Sequence, residues 1–127
     1  MEARVCVIEA NPTMAALLQS LVQRMRGVTC SKVLANVAAF EAQHAAVDAD
    51  VLLLGLPVEQ TDGPAAIRCL RGAQPQTPLI VLPLFWEDAL ESALRAAGAD
   101  DCVHKTDLAF GLAPAIRRAL NGAGATG

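Results

Sequence analysis

The sequence predicts a three-layer α/β fold, a doubly wound parallel sheet of five strands in a (βα)5 chain. Four apolar runs, at 5–8, 51–54, 79–82 and 102–104, have the length and unbroken hydrophobicity of strands that are buried on both faces. Stretches of helical periodicity separate these runs, and strands that alternate with helices pair in parallel. A chain of 127 residues is enough for one such domain and leaves no room for a second.

The first half of the chain carries clear start and stop signals. A helix should begin where Asn11 can cap it and Pro12 fits its first turn, and it should end before Gly27. A weaker strand at 29–34 mixes β-branched and polar residues, which is typical of a sheet edge. The apolar residues of the helix recur at helical spacing: Leu17, Leu18, Leu21 and Met25.

The later helices are predicted at 37–46, from residue 64, at 87–97 and at 107–120. We expect Asp62 to cap the third and Gly98 to end the fourth, and we place Arg117 and Arg118 near the C-terminus of the fifth, where the helix dipole favours cations. Gly and Ala dominate the end of the chain, so we assign the domain to 1–121 and a flexible tail or linker start to 122–127. The apolar stripe of the fifth helix is Leu108, Leu112, Ile116 and Leu120.

Composition excludes several classes of protein. A net charge of -3, one Trp and no Tyr argue against a direct nucleic-acid reader, which needs a basic surface and stacking aromatic side chains. The apolar runs are shorter than the ~20 residues that span a bilayer, and the first ten residues lack a signal peptide's basic start, so we expect a cytoplasmic domain without membrane contact. The widely spaced Cys6, Cys30, Cys69 and Cys102 predict small buried hydrophobes rather than zinc ligands or disulfides.

In a doubly wound sheet, ligands bind beyond the carboxyl ends of the strands, so the residues there determine the function. The residues that follow the predicted strands are therefore the candidate site. They are Glu9, Ala10 and Asn11 after the first strand, Gly55, Leu56 and Pro57 after the third, Pro83 and Leu84 after the fourth, and Lys105 and Thr106 after the fifth.

Three segments carry a resemblance to a known family. They are VIEANP at 7–12, DVLLLGL at 50–56 with the Asp62-Gly63 pair behind it, and ALRAAGADD at 93–101 followed by His104 and Lys105. With them the chain resembles the receiver domain of two-component response regulators from residue 4 to residue 120. The resemblance implies a flavodoxin-like sheet with strand order 2-1-3-4-5.

Receivers of this family form an aspartyl phosphate, with Mg²⁺ held by an acidic pair, and with a hydroxyl group and a lysine on the phosphoryl oxygens. By resemblance, this chain keeps Glu9 of the acidic pair and the lysine, Lys105. It has Ala10 in place of the second acid, Gly55 in place of the phosphoacceptor, Pro83 in place of the hydroxyl residue and Cys102 in place of an aromatic residue. The resemblance therefore implies a degenerate form, a pseudo-receiver with no catalytic residue, metal, cofactor or enzymatic activity.

Two interpretations of the altered site stay open. In the first, Glu9 and Lys105 form a structural ion pair and Leu84 fills the vacancy beside Gly55. In the second, the vacated pocket near Gly55 and Lys105 admits a small polar ligand or a redox cofactor, which would make the domain a sensor.

The expected role is protein–protein contact. Leu84, Phe85 and Trp86 form an apolar cluster after the fourth strand, and such clusters often mark partner sites, although Leu84 and Phe85 could instead turn inward. Receivers pass signals through helix 4, strand 5 and helix 5, so we expect a protein partner or a homodimer there, and effector domains could follow the chain in a parent protein. The candidate surface is Phe85, Trp86, His104, Arg117 and Arg118.

Overall fold

The computed structural model describes residues 2–43, 47–56, 62–85 and 87–125, in which strands and helices alternate as predicted. Pro57 and Trp86 lie outside the described residues. The elements are β1 Ala3–Ile8, α1 Pro12–Gln23, β2 Val28–Leu34, α2 Val37–Gln43, β3 Val51–Gly55, α3 Gly63–Ala73, β4 Leu79–Leu82, α4 Asp88–Ala97, β5 Asp101–Cys102 and α5 Leu108–Ala125, with a 3-10 turn at Lys105–Asp107 before α5.

The strands form one parallel sheet in the order β2-β1-β3-β4-β5. This confirms the three-layer (βα)5 fold and the strand order 2-1-3-4-5. Alternate side chains of β1 enter different cores, since Val7 packs with Leu18 and Ile116 while Ile8 packs with Phe40 and Ile67. Helices α1 and α5 therefore cover one face of the sheet, and α2, α3 and α4 cover the other.

Two of the predicted helix boundaries are confirmed and one predicted cap is wrong. The Asn11 side chain accepts a hydrogen bond from Met14 N at 3.0 Å, and Gly98 follows α4 with a φ of 129° that favours glycine. Asp62 occupies the cap position of α3, but its side chain makes no capping hydrogen bond. Its φ of -89° and ψ of 5° differ from the extended backbone that a capping side chain needs.

The C-terminal elements also differ from the sequence prediction. Strand β5 ends at Cys102 rather than at residue 104, although the Val103 amide still donates to the Val81 carbonyl at 2.9 Å. Helix α5 runs to Ala125 instead of ending near residue 120, so Arg117 and Arg118 lie in its middle and the predicted dipole interaction is wrong. The division into a domain at 1–121 and a tail at 122–127 stays a prediction. Among the described residues, no helix is long and apolar enough to cross a bilayer.

Candidate functional site

The carboxyl ends of the strands bring two charged side chains together. Glu9 follows β1 and its amide donates to the Leu34 carbonyl of β2 at 2.9 Å, which fixes the backbone where the strand ends. Lys105 follows β5, and its amide donates to the Pro83 carbonyl after β4, also at 2.9 Å. These ladder-like bonds position both side chains over the end of β3, at Gly55.

Glu9 and Lys105 form the predicted ion pair. Lys105 Nζ lies 2.7 Å from Glu9 Oε1, and the two side chains are only 6% and 1% exposed. Nζ also donates a hydrogen bond to the Leu56 carbonyl at 2.7 Å, while Glu9 Oε2 accepts from Asn11 N at 3.1 Å. Oε1 receives no directed hydrogen bond from the described residues, so its contact with Nζ is mainly Coulombic. The pair links the ends of β1, β3 and β5 in a water-poor setting.

The Glu9 carboxylate lies directly against Gly55. A Cβ atom at position 55 would lie 2.8 Å from Glu9 Cδ and would overlap Oε1, which is closer than real atoms approach. The space beside the glycine is therefore filled by Glu9, and the prediction that Leu84 fills it is wrong. Leu84 follows β4 and is half-buried. Its side chain cannot occupy the space beside Gly55, because the Glu9 carboxylate is already there.

A cleft of about 800 Å³ lies next to the ion pair. Leu17, which the sequence pattern assigned to the apolar stripe of α1, is 45% exposed and lines this cleft instead of entering the core. The charged atoms of the pair are buried, so the cleft offers mostly apolar surface to solvent. Its lining is Glu9, Ala10, Asn11, Pro12, Thr13, Met14, Leu17, Leu56, Leu84 and Lys105.

The other altered positions contribute no polar side chain to this edge. Ala10 is exposed and Pro83 is buried, and neither side chain can donate or accept a hydrogen bond. Cys102 lies half-buried on β5, where burial raises the pKa of its thiol to about 11. Within residues 2–43, 47–56, 62–85 and 87–125, no group of three or more His, Cys, Asp or Glu side chains could hold a metal ion.

The cysteines differ in burial more than the sequence suggested. All four thiols are free. Cys6 is fully buried and desolvation raises its pKa to about 12, whereas Cys30 is half-buried. Cys69 is exposed on α3, so the prediction of a buried hydrophobe is wrong there.

The candidate interaction residues have different environments. Phe85 is 54% exposed, which favours a surface role over packing under α4, and Arg117 is also exposed. His104 caps the 3-10 turn, with Nδ1 2.6 Å from Thr106 Oγ1, and Arg118 pairs with Asp101 at 2.9 Å.

The most exposed of the large apolar side chains that the structure describes is not among the candidate residues predicted from the sequence. Phe110 in α5 is 83% exposed. The available signal was its position outside the stripe formed by Leu108, Leu112 and Ile116.

Comparison with known proteins agrees with this architecture. The family model of the response regulator receiver domain matches residues 5–110. No curated protein sequence matches the chain. Residues 5–110 are most of the chain, so this match establishes the family.

Solved structures agree with the fold. The Salmonella typhimurium RcsB response regulator superposes with a TM-score of 0.86 at 19% identity, over 95% of this chain and 61% of that one. The response regulator domain of Thermotoga maritima CheB gives 0.82 at 17% identity, over 95% and 98% of the two chains. A LuxR-family response regulator from Aurantimonas sp. SI85-9A1 gives 0.86 at 20% identity, over 96% and 87%. The chain belongs to the response regulator receiver domain family of two-component signalling.

Proposed function

We propose that this domain is a pseudo-receiver, which acts by protein–protein contact and is not switched by phosphorylation. The observation that carries the proposal is the packing of Glu9 against Gly55. The position at the end of β3 has no side chain to phosphorylate, and the space that such a side chain would need holds the carboxylate of Glu9. Lys105 neutralises that carboxylate from 2.7 Å.

The remaining polar groups do not supply phosphoryl-transfer chemistry. Such transfer depends on a placed nucleophile and on cations that neutralise the transferred group. Mg²⁺ is held by oxygen ligands, usually carboxylates, and Glu9 is the one carboxylate that lines this cleft among the described residues. Since Glu9 is already paired with Lys105, a cation would have to compete with a buried ammonium group. We therefore assign no enzymatic activity to the domain.

The proposed contact surface lies on the α4, β5 and α5 side of the domain. It combines exposed Phe85 and Phe110 with His104, Arg117 and Arg118. Aromatic side chains and arginines are both enriched at protein interfaces. A protein partner or a second copy of the domain would cover it. The chain spans 61% of the RcsB chain that it matches, and RcsB is known in complex with DNA. We infer that nucleic-acid contact, if the parent protein has it, belongs to other domains, because this one has a net charge of -3.

Mass spectrometry tests the phosphorylation half of the proposal. The purified domain is incubated with acetyl phosphate and Mg²⁺, and its intact mass is measured next to that of a receiver that has its acceptor aspartate. We expect the control receiver to gain a phosphoryl group and this domain to stay unmodified. A hydroxylamine-labile phosphate on this domain would contradict the proposal, because that lability identifies an acyl phosphate.

Substitution of Phe110 tests the contact half. Sedimentation velocity of the wild type measures self-association, and pull-down from the host measures partner binding. We expect Phe110→Ala to weaken whichever association is found by tenfold or more, since anchors of this kind contribute about 2 kcal/mol or more. Val33→Ala is the matched control, because Val33 is an exposed apolar residue on the opposite edge strand. If Phe110→Ala and Val33→Ala bind equally well, the contact surface does not include Phe110.

A further inference from the structure

Helix α5 has a continuous exposed stripe along its outer face. Leu112, Ala115 and Ile116 on its inner face are buried in the core. The exposed residues recur at steps of four and three, which is the spacing of one helix face. They are Phe110, Pro114, Arg117 and Asn121. This stripe is therefore the part of α5 that is able to contact another molecule.

Opposite charges lie towards the two ends of the stripe. Asp107 is exposed in the turn that precedes α5, and Arg117 is exposed in the second half of the helix. Within the part of the chain that the structure describes, neither side chain has a hydrogen-bond or ion-pair partner. The neighbouring Arg118 differs, because it pairs with Asp101 at 2.9 Å. The fold thus leaves one acidic and one basic group of this stripe unused.

The stripe between these charges is apolar and contains a backbone acceptor. Phe110 is 83% exposed. Pro114 has no amide hydrogen, so the carbonyl of Phe110 lacks the donor that a helix normally supplies four residues later. Phe110 and Arg117 are two turns apart, which is ~10 Å along the helix axis. The aromatic ring and its carbonyl could both accept a cation, and the helix itself presents a cation at a fixed distance from them.

We propose that α5 binds the α5 of a second copy of this domain, antiparallel, about a twofold axis that passes beside Ala113 and Pro114. This inference rests on the proposed contact function and names its partner. In this arrangement the ring of Phe110 in each copy faces the Arg117 guanidinium of the other, as in a cation–π contact. Asp107 lies within one turn of the same arginine and pairs with it. The twofold axis forms each contact twice.

The charges of the stripe select the antiparallel orientation. It places the acidic end of each helix against the basic half of the other, whereas a parallel contact would place like charges together. The two Arg117 side chains are then separated by ~10 Å along the axes, about one Debye length in physiological salt. The small side chains of Ala113 and Pro114 at the centre allow the two helices to approach closely.

Charge reversal tests this contact by sedimentation velocity over a series of concentrations. We expect the wild type to dimerise. Asp107→Arg and Arg117→Glu, each alone, should weaken self-association by about tenfold or more, because each places two pairs of like charges in contact. An equimolar mixture of the two variants should dimerise about as tightly as the wild type, since every contact of the mixed dimer again joins opposite charges. Recovery in the mixture would also show that neither variant is misfolded.

Arg68→Glu is the matched control, because Arg68 is an exposed arginine of α3 on the other face of the sheet. It should leave dimerisation unchanged. A wild type that stays monomeric would overturn the inference, and so would a mixture that stays as monomeric as its two components. If the wild type is monomeric while a host protein is captured through Phe110, this inference fails and the proposed contact function stands.

Discussion

Removal of the lysine from the buried ion pair should destabilise the domain strongly. In Lys105→Met the carboxylate of Glu9, whose side chain is 1% exposed, stays buried. Among the described residues, the hydrogen bond from Asn11 N is then the one polar contact that it keeps. An uncompensated charge in such a place costs about 3–5 kcal/mol of the free energy of unfolding. For a domain of this size that is a large share of a total stability of about 5–15 kcal/mol.

The same geometry predicts strong coupling between the two residues. At 2.7 Å and an effective dielectric constant of about 20, the Coulomb attraction is about 6 kcal/mol. Desolvation of the two ions costs several kcal/mol per ion, so the net contribution of the intact pair to the free energy of unfolding is small. The double variant Glu9→Gln with Lys105→Met should therefore be more stable than the sum of the single variants implies, by about 1–3 kcal/mol.

Urea unfolding followed by circular dichroism measures these differences, provided that the m-value is the same in each variant. Arg4→Met is the control, because Arg4 pairs with Asp48 and Asp50 through side chains that are 41% or more exposed. Its cost should be about 1 kcal/mol or less. A loss below about 1 kcal/mol for Lys105→Met, or additive single and double variants, would refute the buried-pair reasoning.

Two further predictions concern Gly55 and Cys6. Gly55→Asp should not restore phosphorylation, because the new side chain has to displace the Glu9 carboxylate from its place beside Lys105. We expect a lower unfolding midpoint and an unchanged intact mass after incubation with acetyl phosphate. One added phosphoryl group would contradict this prediction. The pKa of buried Cys6 is about 12 in the folded domain and near 9 in the unfolded chain, so its stabilising effect is complete below pH 9 and is lost as the pH rises towards 12. Unfolding free energies measured from pH 8 to 10.5 should fall more steeply for the wild type than for Cys6→Ala, by up to ~1.4 kcal/mol per pH unit, and equal slopes would show that Cys6 is not responsible.

The strands were predictable because buried parallel strands consist of continuous apolar runs. The run at 51–54 is buried throughout in β3, and the run at 79–82 is buried throughout in β4. The order of the strands was predicted from the family resemblance alone, since the hydrophobicity of the apolar runs does not indicate which strands pair in the sheet. The ion pair between Glu9 and Lys105 was also predictable, because parallel strands bring their carboxyl ends to one edge.

Three features that the sequence does not predict depend on local three-dimensional geometry. Glu9, rather than Leu84, fills the space at Gly55 because of a side-chain direction that spacing does not specify. Asp62 makes no capping hydrogen bond with α3 because its local backbone angles are not extended. The end of α5 was placed too early because Gly and Ala in sequence indicate a frayed end, whereas the helix continues through them.

The measurement that tests the central claim most directly is an amide NMR titration with Mg²⁺ and then beryllofluoride, which mimics the phosphoryl group on a receiver aspartate. We expect an unchanged spectrum, because Gly55 offers no carboxylate and the Glu9 carboxylate is held by Lys105. Saturable shifts centred on Glu9, Gly55 and Lys105 would contradict it and would show that this edge of the sheet still binds a phosphoryl analogue.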